Sequence, residues 1–118
     1  MGHVLVNVTV SNPTDSSLSS EVEAMVDTGA TFTVVPESLA AQLRLPVTGR
    51  RTVRTATGPL TLDMARALIQ MNGEREINRV LISDTVDKVL IGVITLETFS
   101  LTVDPTSGEL TEAEAYLL

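Results

Sequence analysis

Valines at positions 4, 6, 8 and 10 alternate with Leu5, Asn7 and Thr9. That period of two places one set of side chains on one face of a strand. The run breaks at Asn12-Pro13-Thr14-Asp15-Ser16-Ser17, a cluster of turn formers, and a second strand extends from about Leu18 to Val26. Phe32 to Val35 predicts a third strand. Pro36-Glu37-Ser38 opens a short helix through Leu43, with proline in the first turn and glutamate at the positive end of the helix dipole. Arg51 to Thr55 and Leu60 to Ala65 flank Ala56-Thr57-Gly58-Pro59, which reads either as the tip of a long hairpin near Gly58 or as a simple surface turn. Leu62 to Met71 carries a partly helical spacing of apolar residues but is assigned to strand. Asn72-Gly73 is a hairpin turn signal. Arg79 to Ser83 and Val89 to Ile91 follow as strands, Thr95 to Phe99 as a short helix, and Leu101 to Val103 and Glu109 to Thr111 as strands around a Pro-Gly turn. The pattern predicts an all-β chain with two short helices, in which a strand leading into a glycine turn occurs at Gly29 and again at Gly92.

Length and composition narrow this further. The chain has 118 residues and no linker or low-complexity tract, so residues 1–118 read as a single domain. Apolar residues make up 43% but aromatics only 3%, which demands an aliphatic core. The net charge is −7 and the pI about 4.5, a poor match for nucleic-acid phosphates. The one basic cluster, Arg50, Arg51 and Arg54, lacks interleaved aromatics and reads as a solvated strand edge. With no cysteine there is no disulfide, thiolate nucleophile or Cys-based zinc site. The longest apolar run, Val89 to Ile94, is far short of a membrane span. The amino end lacks a basic, apolar leader, and Val6 stands where an N-myristoylation signal from Met1-Gly2 would need Ser or Thr. These features predict a cytoplasmic protein with no membrane or nucleic-acid partner, and no metal or cofactor.

Chemistry concentrates at Val26-Asp27-Thr28-Gly29-Ala30, where a carboxylate sits between the end of a strand and a glycine turn. A plain turn would also account for it, since Asp bonds its own backbone and Gly accepts a positive φ. The remaining candidates are weaker. His3 is the only histidine and lies beside the amino end, far from a nucleophile's needs. Ser16-Ser17 and Ser19-Ser20 read as turn and edge residues, and Glu74-Arg75-Glu76 as a solvated hairpin. Glu112 and Glu114 alternate with Ala113 and Ala115 before Tyr116-Leu117-Leu118; this is either a loose tail or an element that buries Tyr116 and Leu118 against a partner chain.

Met25-Val26 before Asp27-Thr28-Gly29-Ala30, then Leu90-Ile91-Gly92 with the Ile94 to Phe99 stretch, resemble the paired motifs of the retropepsin-like aspartic proteases. The ending Leu101-Thr102-Val103-Asp104-Pro105, with Gly108 and Leu110, is similar to the bacterial and archaeal branch, so the resemblance spans nearly the whole chain. It implies a closed or partly open β-barrel with one or two short helices, a single lobe that forms a two-fold homodimer. Amide hydrolysis by carboxylates needs one group to take a proton from water and another to donate one. The chain holds one Asp-Thr-Gly; Asp84-Thr85-Val86 lacks the glycine. The second carboxylate must then be the same residue of a second copy, which a two-fold axis supplies.

By resemblance, Asp27 is the catalytic acid and base. Thr28 would hydrogen-bond to the partner's backbone, Gly29 would permit close backbone approach, and Ala30 would lie along the bound peptide. Thr55, Ala56, Thr57, Gly58 and Pro59 would form a mobile flap, and Leu90, Ile91 and Gly92 the second, supporting motif. The implied function is an aspartic endopeptidase acting on a peptide or protein. The alternatives are a catalytically inactive dimer that binds peptides or acts as a scaffold, and an unrelated small β-domain in which Asp27 marks only a turn. The chain departs from retroviral members at Thr31 and Val93, where those members commonly carry an acidic residue and the arginine that pairs with it.

Overall fold

The computed structural model describes residues 4–117; His3, the Met1-Gly2 pair and Leu118 lie outside the described residues. The elements run β1 (Val4–Asn12), β2 (Asp15–Val26), β3 (Thr33–Pro36), α1 (Glu37–Gln42), β4 (Val47–Thr55), β5 (Gly58–Met71), β6 (Glu74–Ser83), β7 (Val89–Ile91), α2 (Val93–Thr98), β8 (Leu101–Val103) and β9 (Leu110–Glu112). The chain is mostly β with two short helices, as the hydrophobic pattern predicts.

One seven-stranded sheet carries the fold, in the order β1-β2-β7-β3-β6-β5-β4, and β1 also pairs with β5 through Thr9–Gln70, Val10–Ile69 and Ser11–Leu68. That extra pairing closes the sheet on itself and leaves β4 attached only to β5. The alternation in β1 points Val8 and Val10 inward, at 1% and 0% exposure. In β5, Ala65, Ala67, Ile69 and Met71 alternate into the same core, which confirms a strand over the stretch with partly helical spacing. The ambiguous period has a physical origin. Leu68 sits on the opposite face and is itself half-covered, so both faces of β5 carry apolar residues. The core they meet is aliphatic apart from Phe99.

Turn chemistry is local and follows the sequence. Asn72 and Gly73 both take positive φ, 55° and 80°, as a tight hairpin between β5 and β6 requires. The β4–β5 hairpin is real and starts earlier than predicted, at Val47. Its tip is the two-residue loop Ala56-Thr57, and Gly58 takes φ 121°. There the Thr55 hydroxyl donates to the Gly58 carbonyl at 2.8 Å and accepts the Thr57 N–H at 3.2 Å. The first turn cluster is shorter than predicted, because β2 begins at Asp15. Its Asn12 side chain donates to the carbonyls of Leu43 and Arg44, tying the β1–β2 turn to the end of α1. At the carboxyl end, Ala113 N–H donates to Ser100 O, after which Tyr116 and Leu117 stand 78% and 100% exposed in the single chain.

Candidate active site

Two loops built from different halves of the chain lock together around Asp27. β2 and β7 run parallel, with Val26 opposite Ile91, and β3 crosses β7 antiparallel at Val34–Leu90. The Asp27 loop leaves β2 and re-enters at β3, while α2 leaves β7 directly beneath it. A helix begins with backbone N–H groups that have no partner inside the helix. In α2 those donors reach the Asp27 loop: Val93 N–H donates to Ala30 O at 2.8 Å and Ile94 N–H to Thr31 O at 3.0 Å. Asp27 N–H in turn donates to Ile91 O at 2.9 Å. Ile91 and the first turn of α2 thus hold the carboxylate loop through three backbone hydrogen bonds, with Leu90 paired to Val34 and Gly92 between Ile91 and α2 in the chain.

Gly92 is held by space rather than by backbone angle. Its φ is −90°, ordinary for any residue, but an added Cβ would lie 2.5 Å from both the carbonyl carbon and oxygen of Phe32. Its N–H donates to Thr33 Oγ1 at 3.0 Å, and that hydroxyl shares a 2.6 Å hydrogen bond with Thr95 Oγ1. Both threonines are buried, at 0% and 1% exposure. This polar knot joins β3, the second glycine motif and α2. The sequence offered no signal for it, since Thr33 and Thr95 are 62 residues apart.

Asp27 is half-buried, and Thr28 and Gly29 are exposed. The Asp27 Oδ1 accepts the Gly29 N–H at 2.9 Å, and the Asp27 carbonyl accepts the Ala30 N–H at 3.1 Å. Gly29 is not in a positive-φ conformation, so that reason for a glycine does not hold. A Cβ there would stand 3.2 Å from Asp27 Oδ1, a side-chain atom, so the glycine leaves room for the carboxylate itself. Among the described residues no other group bonds the Asp27 carboxylate, and the Thr28 hydroxyl has no partner within the chain.

The carboxylate opens into a cleft of about 500 Å³ between this loop and β4. Ala30, Phe32, Leu81, Arg51 and Arg54 help to line it, and among the described residues Asp27 is its only acid. From the hairpin, the cleft wall takes residues 51–54, while Thr55 to Pro59 form the tip beyond it. The solvated-edge reading of the basic cluster holds for Arg50, which pairs with exposed Asp63 at 3.4 Å. It holds for Arg51 too, which is exposed on the edge strand β4, but its guanidinium carbon also lies 5.4 Å from the centre of the Phe32 ring, and that of exposed Arg79 lies 5.9 Å from it. Phe32 and Arg79 carry no local sign of a site, because only the fold brings β4, β6 and the Asp27 loop together.

The aspartyl protease family model matches residues 6–106, and the chain belongs to that family. No curated protein matches it in sequence. Among solved structures it is similar to the simian foamy virus (mac) protease in solution, with 19% identity and a TM-score of 0.59 over 80% of this chain and 93% of that one. It is also similar to the EIAV protease in complex with an inhibitor, with 14% identity and a TM-score of 0.69 over 98% of this chain and 94% of that one. A third similarity is to the foamy viral protease-reverse transcriptase bound to an RNA/DNA hybrid. There, at 19% identity and a TM-score of 0.61, the match covers 81% of this chain but 12% of that one. These likenesses carry the fold, which is that of the retroviral proteases. Among the described residues no helix is long and apolar enough to cross a membrane.

Proposed function

We propose that this chain is an aspartic endopeptidase whose active site forms when two copies meet about a two-fold axis and pair their Asp27 carboxylates. The observation that carries this reading is the lone carboxylate in the cleft: Asp27 is fixed by the Gly29 N–H and the α2 platform, and among the described residues no second acid lines that cleft. Two carboxylates about 3 Å apart hold one proton between them, as the aspartic proteases illustrate in general. The ionised member takes a proton from water, the water attacks the peptide carbonyl carbon, and the protonated member donates to the substrate. The exposed, unpartnered Thr28 hydroxyl fits a role in binding the second copy. The hairpin tip from Thr55 to Pro59, beyond the cleft wall of residues 51–54, would close over an extended peptide and exclude water.

The test is hydrolysis of a peptide mixture by the purified chain at mildly acidic pH, with and without a statine-type peptide, and by Asp27→Asn alongside. Cleavage that the inhibitor blocks and Asp27→Asn lacks is the expected result. A dimer that binds peptides across the pH range and never cleaves them would replace this reading with a peptide-binding scaffold.

A further inference from the structure

Of the eight Lys and Arg side chains of this acidic protein, two line the cleft and a third approaches its Phe32 from outside that lining. Arg51 lines the cleft and lies over Phe32, Arg54 borders the same cleft, and Arg79 approaches the same ring from β6. Among the described residues the ion pairs are Arg50–Asp63 and Lys88–Glu23; Arg51, Arg54 and Arg79 have no carboxylate within salt-bridge reach. A chain with 15 acidic side chains has ample means to neutralise them and does not. Exposed guanidiniums without a carboxylate partner give this side of the cleft a local positive field that favours an incoming anion. Contact with an aromatic ring also limits the motion of a guanidinium while leaving N–H donors that can fork onto a carboxylate.

We propose that the cleft selects peptides carrying Asp or Glu side chains near the scissile bond, with Arg51 as the residue that binds them and Phe32 as the residue that positions Arg51. This rests on the peptidase reading of the same cleft. With Thr31 uncharged, Asp27 is the one acid that shares the cleft lining with Arg51 among the described residues, and a two-fold dimer would present Arg51 on both sides of the cleaved bond. The rest of the apolar lining, Ala30 and Leu81 among it, suits uncharged residues at the bond itself.

The experiment compares three short fluorogenic peptides, blocked at both ends so that only side chains bear charge. Each has the same apolar centre flanked by Glu, Gln or Lys. Hydrolysis is measured with the wild-type chain and Arg51→Glu, and binding with Asp27→Asn, at low and high salt. The Glu peptide is expected to exceed the Gln peptide about fivefold in kcat/KM and in affinity, as an exposed ion pair at each side allows. High salt should erase the difference. Arg51→Glu should turn the order round in favour of Lys, an inversion that a merely structural role for Arg51 would not produce. Equal or faster cleavage of the Gln peptide overturns the selection while leaving the peptidase reading intact. Salt-sensitive binding of the Glu peptide without hydrolysis by the wild-type chain supports the selection and overturns the peptidase reading. No binding of any of the three overturns the selection.

Discussion

Gly92 lies so close to Phe32 that a methyl group on its Cα would stand 2.5 Å from the Phe32 carbonyl carbon and oxygen. The contact is backbone on backbone, so no side-chain rotation relieves it. Gly92→Ala must therefore displace the Asp27 loop, α2 or both, and overpacking of this kind costs about 1–3 kcal/mol or more. Chemical denaturation is expected to show that loss, with peptidase activity falling further than stability because the loop carries the candidate catalytic carboxylate. A wild-type midpoint in Gly92→Ala would mean that the two motifs are not interlocked as described.

Thr33→Val should destabilise by about 1–3 kcal/mol, since it leaves the buried Gly92 N–H without its acceptor and the Thr95 hydroxyl without its partner. Adding Thr95→Val should cost less than its single-variant effect, because the orphaned hydroxyl is then gone. A double-mutant cycle by urea unfolding reads the coupling directly. Additive effects would contradict the shared hydrogen bond.

These contacts mark where sequence reading stops. Asp27-Thr28-Gly29 and Asn72-Gly73 are legible because their chemistry is settled within a few residues, a carboxylate and a turn each acting on its own backbone. The inward set Val8 and Val10 is legible because one face of β1 is wet. Ala65 to Met71 is harder to read, since β5 is apolar on both faces. The closure of β1 on β5, the Thr33–Thr95 bond and the approach of Arg51 and Arg79 to Phe32 depend on strands far apart in the chain, and no local pattern reports them.

Thr28→Ala should leave the folded single chain intact and weaken its dimer. The hydroxyl is exposed and, among the described residues, unpartnered within the chain, so its hydrogen bonds would be made with the second copy. Loss of those bonds should raise the dimer dissociation constant by about ten- to a hundredfold, equivalent to roughly 1–3 kcal/mol. Sedimentation equilibrium measures it; an unchanged dissociation constant would remove Thr28 from the dimer contact.

Peptidase activity should trace a bell against pH, weighted to the acid side, and withstand metal chelators. A carboxylate pair works while it holds one proton. Activity is lost at low pH as the second proton binds and at high pH as the shared proton leaves. Initial rates across the pH range, with and without EDTA, check this. A rate that climbs steadily into the alkaline range, or that EDTA abolishes, would exclude the paired-carboxylate mechanism.

The central claim, that each active site takes one Asp27 from each of two copies, is tested most directly by mixing. Asn is nearly isosteric with Asp, so Asp27→Asn chains should fold and exchange into dimers with wild-type chains, yet a mixed dimer would hold one carboxylate instead of two. Adding an equal amount of Asp27→Asn to a fixed amount of wild-type chain, with full subunit exchange, should cut activity to about half, and further additions should drive it toward zero. Activity that stays constant however much Asp27→Asn is added, while exchange is shown to be complete, would contradict the shared site.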